Sequence, residues 1–483
     1  MAIERTVPQK GLARQAAEVL RGDQGEGPAK PSPDHIAMSP FWETAQDLID
    51  GLEALREKTT RYLPRFPNES ATDYKFRCET SKFTNIYRDI IEGLSQKPFA
   101  KELRLPDDTP PRVLDMKEDI DGRGNHLHQF ASEAFFHGIN KGIHWILVDY
   151  AKAEGLRTVE DEARAGVRPY WVHVPAEKVI WVESEVIQGR EQLTLVRIKE
   201  AKDKVREFRR EGGRVVWTVY VKTDDDDKPW LVEDEGLITI GVIPMVPFAT
   251  GRRKGNSWQF NLPMKDAADL QIEHYQQETN LKHVKSAAAY PMLAGNGVEP
   301  DMDGDKPRRV PIGPHAVLYA PPNSQGSHGS WEWIEPGAQT LKFLAEDVKE
   351  TAKELREIGR QPLTAQSTNM TVIGTAFAAA KGNSAVQQWA LSLKDALENA
   401  FKLTALWIGE SHEPEVTIFT EFGVEDSGPE VPRLLLELRT ADPPQISQQT
   451  LWEEYKRRGM LSAEFNHETE IDRLLQEFGS GDF

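Results

Sequence analysis

Apolar residues recur at steps of three and four along two long stretches of the chain, and the segment between them breaks into short strand-like runs. Residues 264–289 contain no Gly or Pro and lie between Pro263 and Pro291, so they predict one uninterrupted helix, about 39 Å long at 1.5 Å per residue. Residues 338–360 predict a second helix, in which Leu341, Leu344, Val348, Leu355 and Ile358 form one stripe, with Pro336-Gly337 before it and Pro362 after it. Between them, 291–294, 309–320 and 330–334 read as strands separated by the turn-rich stretches GNG, DGDK and PPNSQGSHG. This order predicts an antiparallel helical hairpin that carries a small β module and extends from a body. Its first helix offers few large apolar residues, chiefly Leu270, Ile272, Tyr275, Leu281 and Val284. A lone hairpin would then bury too little area to offset its ordering entropy, and neighbouring copies are expected to supply the missing contacts. An ordinary helical hairpin inside a globular domain fits the same pattern.

Upstream, residues 1–38 are rich in Gly, Pro, Gln and charge and predict an extended arm with one short helix near 12–20. Ser39-Pro40 is expected to open a helical tract over 41–63, with Trp42, Ala45, Leu48, Ile49, Leu52 and Leu55 on one face, before Pro64, Pro67 and Asn68 interrupt it. Helices are also expected over 70–94 and 125–138, the latter turning Leu127, Phe130, Ala131, Ala134 and Phe135 inward, and the three should pack together. A β-rich layer follows, with strands at 143–150, 168–174, 179–182, 193–200, 214–221 and 237–240. Asp224 to Asp227 read as the solvated tip of a hairpin between 214–221 and 230–232. Beyond the second long helix, 361–371 is polar and loop-like. Residues 385–408 return to helix through Trp389, Leu391, Leu393, Ala396, Leu397 and Leu403, 416–422 is a short strand, and 446–478 is helical. The fold class is therefore α+β.

The formal charge of −18, from 59 basic and 77 acidic residues, argues against an avid nucleic-acid binder. At 483 residues the chain has room for roughly three domains. A single cysteine, Cys78, permits no internal disulfide; with no conventional signal peptide, a reducing cytoplasm is the expected place of synthesis. No apolar run is long enough to predict a membrane span. Most tryptophans in strand-like segments (Trp171, Trp181, Trp217, Trp331, Trp333) suit core packing or subunit contact.

Catalytic motifs are absent from the sequence. There is no phosphate-binding loop, Gly122-Arg123-Gly124 lacks the third glycine of a dinucleotide site, and neither a nucleophile elbow nor a His-Glu-x-x-His run occurs. Cys78, between Arg77 and Glu79, reads as a small packed residue. Asp301-Met302-Asp303-Gly304-Asp305 imitates a calcium loop, but its glycine comes early and Ile312 stands where the bidentate glutamate belongs, so a surface turn is expected. His126 and His128 on a helix would diverge by about 200° and could not share a metal. No cofactor, metal site or enzymatic activity is expected, although a carboxylate cluster assembled from Asp119, Asp121 or Asp149 would suit a metal-dependent nucleic-acid-processing enzyme.

The order of elements resembles the portal proteins of tailed bacteriophages. Shared segments are Asp119-Ile120-Asp121-Gly122-Arg123-Gly124 ahead of a helix, the following Ile146-Leu147-Val148-Asp149-Tyr150, and Asp269-Leu270 with His274-Tyr275-Gln276 in the first long helix. Arg88, Glu92-Gly93-Leu94 and Lys97-Pro98 belong to the same pattern. The resemblance spans about 40–475. Outside it lies the N-terminal arm (1–38); within it the resemblance implies a helical and β-rich wing (39–262 and 373–432), two stem helices (263–289 and 338–360), a small β clip (290–337), a tunnel loop (361–372) and a helical crown (433–483). It further implies a homo-oligomeric ring, typically of twelve subunits, at one capsid vertex of a virion, assembled in a bacterial host. Double-stranded DNA would pass through it during packaging and ejection, with terminase, head-completion or adaptor proteins, capsid and scaffold proteins as partners and no membrane. A head-tail adaptor without a DNA gate is the structural alternative; adaptors are usually much shorter.

Candidate residues follow from this likeness. Lys265, Lys282 and Lys285 in the first stem helix face Asp266, Asp269, Glu273 and Glu278, a net of −1; Lys342, Lys349, Lys353, Arg356 and Arg360 in the second balance Glu346, Asp347, Glu350, Glu354 and Glu357. A channel wall so near neutrality would let the duplex slide, while the same balance also fits any exposed helix with spaced salt bridges. Gln361, Thr364, Gln366, Ser367, Thr368 and Asn369 are short or uncharged groups suited to transient phosphate contacts in a gate, or to a plain connector. Tyr319, Trp331 and Trp333 in the clip either dock partners or bury between subunits.

Overall fold

The computed structural model describes residues 27–106, 108–150, 166–223, 230–288, 292–297, 302–304, 306–307, 329–334, 338–359, 372–410, 414–420, 422, 430–441, 443–457, 460–462 and 465–478. The chain divides into two units, one of residues 1–45, 89–265 and 360–483 and the other of 46–88 and 266–359. Seven helices come first: α1 (Pro33–Asp50), α2 (Leu52–Glu57), α3 (Thr59–Tyr62), α4 (Ala71–Glu79), α5 (Ile86–Ser95), α6 (Pro111–Lys117) and α7 (Leu127–Lys141). Strands β1 (Ile143–Tyr150), β2 (Pro169–Val174), β3 (Val179–Ile187), β4 (Arg190–Ala201), β5 (Lys204–Glu211), β6 (Arg214–Lys222), β7 (Trp230–Ile238), β8 (Met245–Ala249), β9 (Arg252–Arg253) and β10 (Phe260–Asn261) follow. Next come α8 (Lys265–Ala288), β11 (Met292–Asn296), β12 (Met302–Asp303), β13 (Lys306–Pro307), β14 (Ser330–Ile334) and α9 (Ala338–Ile358). The chain ends with α10 (Val372–Ile408), α11 (Glu430–Thr440), α12 (Gln448–Arg457) and α13 (His467–Phe478). No helix among the described residues is long and apolar enough to cross a membrane.

Several helix boundaries differ from expectation, each for a local reason. The first helix opens at Pro33, a favourable opening residue, and runs through Pro40, so the expected arm ends before 38; residues 1–26 lie outside the described residues. Pro40 has no N–H for the Ile36 carbonyl four residues back, and the Ser39 hydroxyl donates to that carbonyl instead, at 3.4 Å. The tract expected over 41–63 breaks at Gly51, whose φ of 93° is a glycine conformation. The helix expected over 70–94 is two, α4 and α5, parted by residues 80–85. His126 caps α7 instead of lying on it, its ring accepting from the His128 N–H at 3.2 Å. The strand expected over 416–422 is reduced to one bridge between Thr417 and Arg104. The last long helix starts at Val372, well before 385.

In the first unit, a three-stranded antiparallel sheet (β2-β1-β8) and a five-stranded antiparallel meander (β3-β4-β5-β6-β7) form the β layer. Strands β6 and β7 are the expected hairpin; its tip, 224–229, lies outside the described residues. The run expected separately at 237–240 is the end of β7, and β5, β8 and the two-residue β9 and β10 escaped the sequence reading. In β5 (KVREFRRE) only Val205 and Phe208 are buried apolar residues, and the buried Glu207 accepts from Arg197 at 2.6 Å and from Arg209 at 2.9 Å. β8 carries Pro247, tolerated because β8 is an edge strand.

Aromatic side chains lock helices onto the three-stranded sheet. The Trp171 indole N–H donates to Thr404 Oγ1 and that of Trp407 to the Val148 carbonyl, each at 2.9 Å, tying α10 to β2 and β1. Trp171 also meets Phe401 and Phe130 edge-on. His137, His144 and His173 cluster between α7, β1 and β2, with His144 Nε2 and His173 Nδ1 2.9 Å apart. Burial holds all three below the ordinary histidine range, His173 at about 4. Gly138 lets α7 approach the Phe248 ring, and the helix stops at Gly142 in the left-handed region (φ 77°).

In the second unit, β11 and β14 pair in antiparallel register from Met292↔Ile334 to Asn296↔Ser330, so this ribbon brings the end of α8 back to the start of α9. Met302–Asp303 turns onto Lys306–Pro307 at Gly304, making the acidic run a tight two-residue hairpin. The strand expected over 309–320 lies outside the described residues.

A methyl group at Gly138 would run into the Phe248 ring. Gly138→Ala is therefore expected to lower stability by about 1–3 kcal/mol, read as an earlier midpoint in urea unfolding followed by near-UV circular dichroism.

Candidate functional site

The inward face of α8 is polar. Gln271, His274, Glu278 and Thr279 are buried beside Ala267, Ala268, Tyr275 and Leu281. Opposite them runs the stretch between α4 and α5; the Thr80 and Ser81 N–H groups still return to the Phe76 and Cys78 carbonyls, but beyond them the main chain leaves the helix and needs partners from elsewhere. Side chains of α8 meet five main-chain groups of this stretch and the Tyr87 N–H in the first turn of α5. The Tyr87 N–H donates to Gln271 Oε1 at 2.8 Å, and Gln271 Nε2 donates to the Thr84 carbonyl at 3.2 Å. The Thr84 N–H donates to Glu278 at 2.9 Å. Thr279 Oγ1 accepts from the Lys82 N–H at 3.3 Å and donates to the Lys82 carbonyl at 3.2 Å. Lys282 Nζ donates to the Thr80 carbonyl at 2.8 Å. Glu278 also accepts from Thr84 Oγ1 at 2.8 Å and pairs with Lys82 at 2.6 Å. Burial alone would raise the Glu278 carboxyl, but these donors outweigh it and hold it below the ordinary carboxylate range.

This seam gives α8 same-chain contacts in addition to those expected of neighbouring copies. Residues of the same chain cover its inward face, using hydrogen bonds where an apolar stripe was sought. The same segment is anchored at its start by the buried Arg77. Its guanidinium donates to both Glu69 oxygens and to the Pro64 carbonyl, each at 2.8 Å, and stacks over Phe66. Arg77 in turn draws the Glu69 carboxyl down to about 2.

The basic residues singled out in the two long helices separate into groups. Lys282, Lys285 and Lys349 line one cavity of about 490 Å³ together with Lys82; Leu281, Ala345 and Val348 supply its apolar wall and Glu278 its single carboxylate. Lys265, Lys342, Lys353 and Arg356 do not line it. Lys353 lies 3.9 Å from Glu357 on its own helix. Gln361, Thr364, Gln366, Ser367, Thr368 and Asn369 lie outside the described residues, as does Tyr319. Trp331 is half-buried in β14, and Trp333 follows in the same strand, its side chain outside the described set.

The three acids considered for a metal-dependent enzyme are committed elsewhere. Asp119 pairs with Arg168 at 2.7 Å and accepts from the Gly124 N–H at 2.7 Å. Asp121 accepts from the Arg123 N–H at 2.9 Å and from Asn125 Nδ2 at 2.7 Å, bonds that shape the turn before α7. Asp149 pairs with Arg206 at 3.0 Å beside a cavity of about 510 Å³ walled by Tyr150, Tyr170, Trp217 and Trp407, where Lys204 and Glu233 also pair, at 2.6 Å. Among the described residues no group of three or more His, Cys, Asp or Glu is arranged to hold a metal ion.

A family model described as a domain of unknown function (DUF4055) matches residues 263–408, from the start of α8 to the end of α10. No curated protein matches the chain. Similar solved structures include the neck of an empty GTA particle computed with C6 symmetry, 13% identical over 80% of this chain and 89% of that chain, TM-score 0.41. The neck of a native GTA particle computed with C12 symmetry is 13% identical, covering 77% and 88%, TM-score 0.41. The virion of a native gene transfer agent (GTA) particle is 14% identical, covering 80% and 88%, TM-score 0.39. At TM-scores this low, the α+β class rests on the chain's own helices and antiparallel sheets.

Two outcomes follow from the seam. Gln271→Ala removes the side-chain amide that accepts from the Tyr87 N–H and donates to the Thr84 carbonyl, which should lower the opening free energy of 80–87 by about 1–2 kcal/mol in native-state hydrogen exchange. Glu278 has a depressed folded pKa, so its contribution is complete above the ordinary value of 4.5 and is lost as pH falls through the folded value. The melting temperature of Glu278→Gln, lower than wild type at neutral pH, should converge on wild type as pH falls below 4.5 and through the lower folded value; a constant gap down to the acid limit of the folded state would show that the ionised carboxylate is not what the seam uses.

Proposed function

We propose that this chain is the subunit of a phage-like head-tail connector of the portal kind, a ring at one vertex of a virion through which double-stranded DNA passes during packaging and ejection. The observation that supports it best is the run α8, β11–β14 ribbon, α9 and then α10, which falls where the sequence resemblance assigns stem, clip and stem. In this reading α8 and α9 are the stem helices, the ribbon and its turns are the clip, and residues 361–372 form the tunnel loop. Tyr319, Trp331 and Trp333 then belong to the surface that receives terminase during packaging and adaptor proteins afterwards. The subunit performs no catalysis itself; ATP hydrolysis comes from the docked motor. Capsid and scaffold proteins contact the ring from the shell side.

Purified full-length chain should form closed rings with a central hole in negative-stain images, with a light-scattering mass a whole multiple of 54.5 kDa. A compact monomer at high concentration would remove the ring. Deleting 364–369 should leave rings intact while lowering the yield of packaged DNA, and an unchanged yield would deny this loop a gating role.

A further inference from the structure

The exposed surface of α9 is divided lengthwise by charge. At about 100° per residue, Phe343, Glu346, Glu350, Glu354 and Glu357 fall within an arc of about 80°, all of them exposed, Phe343 at 67%. Lys342, Lys349, Lys353 and Arg356 occupy a separate arc of about 60°. Between these flanks, on the far side of the helix, lie Leu341, Leu344, Val348 and Leu355. Lys349 belongs to the cavity between α8 and α9, whose rim is completed by Lys82, Lys282 and Lys285. Among the described residues its only carboxylate, Glu278, is already paired with Lys82. One side of the hairpin is thus a basic groove with an apolar wall. The acidic strip with Phe343 points away from it, roughly 150° around α9.

We infer that this groove receives the acidic strip of α9 from a second copy of the chain, and that this contact, repeated head to tail, closes the ring. The inference rests on the ring reading above and names the surfaces that make it. Charge complementarity selects the occupant: the glutamates of the incoming strip face the lysines of the groove, while Phe343 faces its apolar wall of Leu281, Ala345 and Val348. Two different surfaces on opposite sides of one hairpin make a heterologous contact, which generates a ring when its rotation closes. An isologous dimer would instead set groove against groove and oppose four lysines to four. Nucleic acid would suit the basic groove alone, but it leaves the exposed Phe343 and its acidic neighbours without a role.

Charge reversal tests this in the full-length chain. Lys285→Glu/Lys349→Glu and Glu350→Lys/Glu354→Lys alter exposed side chains outside the seam, so both should keep the wild-type far-UV spectrum. Each double variant is expected to reduce the ring fraction by about tenfold or more, since opposed like charges cost several kcal/mol. The quadruple variant, with groove and strip both reversed, should recover rings. If the wild type forms rings and both double variants do so equally well, or if the quadruple variant stays dispersed, this interface is wrong while the ring reading stands. A wild type that forms no rings overturns the ring reading itself. Loss of rings in the doubles caused by double-stranded DNA binding would show as a change in DNA affinity confined to the groove variant and no recovery in the quadruple, which also overturns it.

Discussion

Hydrogen bonds from Gln271, Glu278 and Thr279 to the main chain of residues 80–87 are the constraint on which the second unit depends. A non-helical segment laid along a helix must find partners for its peptide groups, and each buried group left without one costs about 1–3 kcal/mol. Here the helix supplies them from side chains spaced one and two turns apart. Such a seam also fixes register: sliding α8 by one residue would rotate these side chains by about 100° and break every bond at once. The polarity of α8, which reads as a weakness in the sequence, is therefore what positions it.

Because the inward face of α8 is satisfied within the chain, its remaining lysines are displayed instead of consumed. Lys282 shows both uses, its stem lining the cavity while its ammonium reaches the Thr80 carbonyl. Lys285 and Lys349 face each other across the groove, on helices that the β11–β14 ribbon holds at one end. The seam, the ribbon and the groove are consequently one construction: the first fixes the face of α8, the second returns the chain, and the third is the space left between.

The sequence revealed this construction unevenly. Pro263, Pro291, Pro336-Gly337 and Pro362 mark the ends of α8 and α9 because backbone chemistry there is local, and β1 shows itself as IHWILVDY because nearly every residue is buried. The break at 80–85 was invisible, since nothing in SKFTN stops a helix by itself; the segment leaves the helix in favour of bonds to residues almost two hundred positions away. β5 was missed for a related reason, its buried Glu207 being intelligible only beside Arg197 of the neighbouring strand. Pro40 misled in the other direction, because Ser39 repairs the missing bond locally. The candidate lysines were legible as a set, but their division into groove and flank needed the helix axis and the approach of α8.

That division alters what charge says about the two long helices. Summed along the chain, α9 is close to neutral, and near-neutrality was the ground for expecting a wall along which DNA slides. Neutrality of a sum is not neutrality of a surface. Within α9 the opposite charges lie on adjoining flanks, close enough for Lys353 to reach Glu357 at 3.9 Å, yet their centres are about 90° apart around the helix. A duplex would meet attraction on one flank and repulsion on the other, whereas a second copy of the helix pair can satisfy both together. In the proposed ring the two flanks would neutralise each other between subunits, and its inner wall would take its character from whatever faces remain. The low affinity for DNA that a conduit needs would come from assembly, with charges that are separate in one chain cancelling only in the ring.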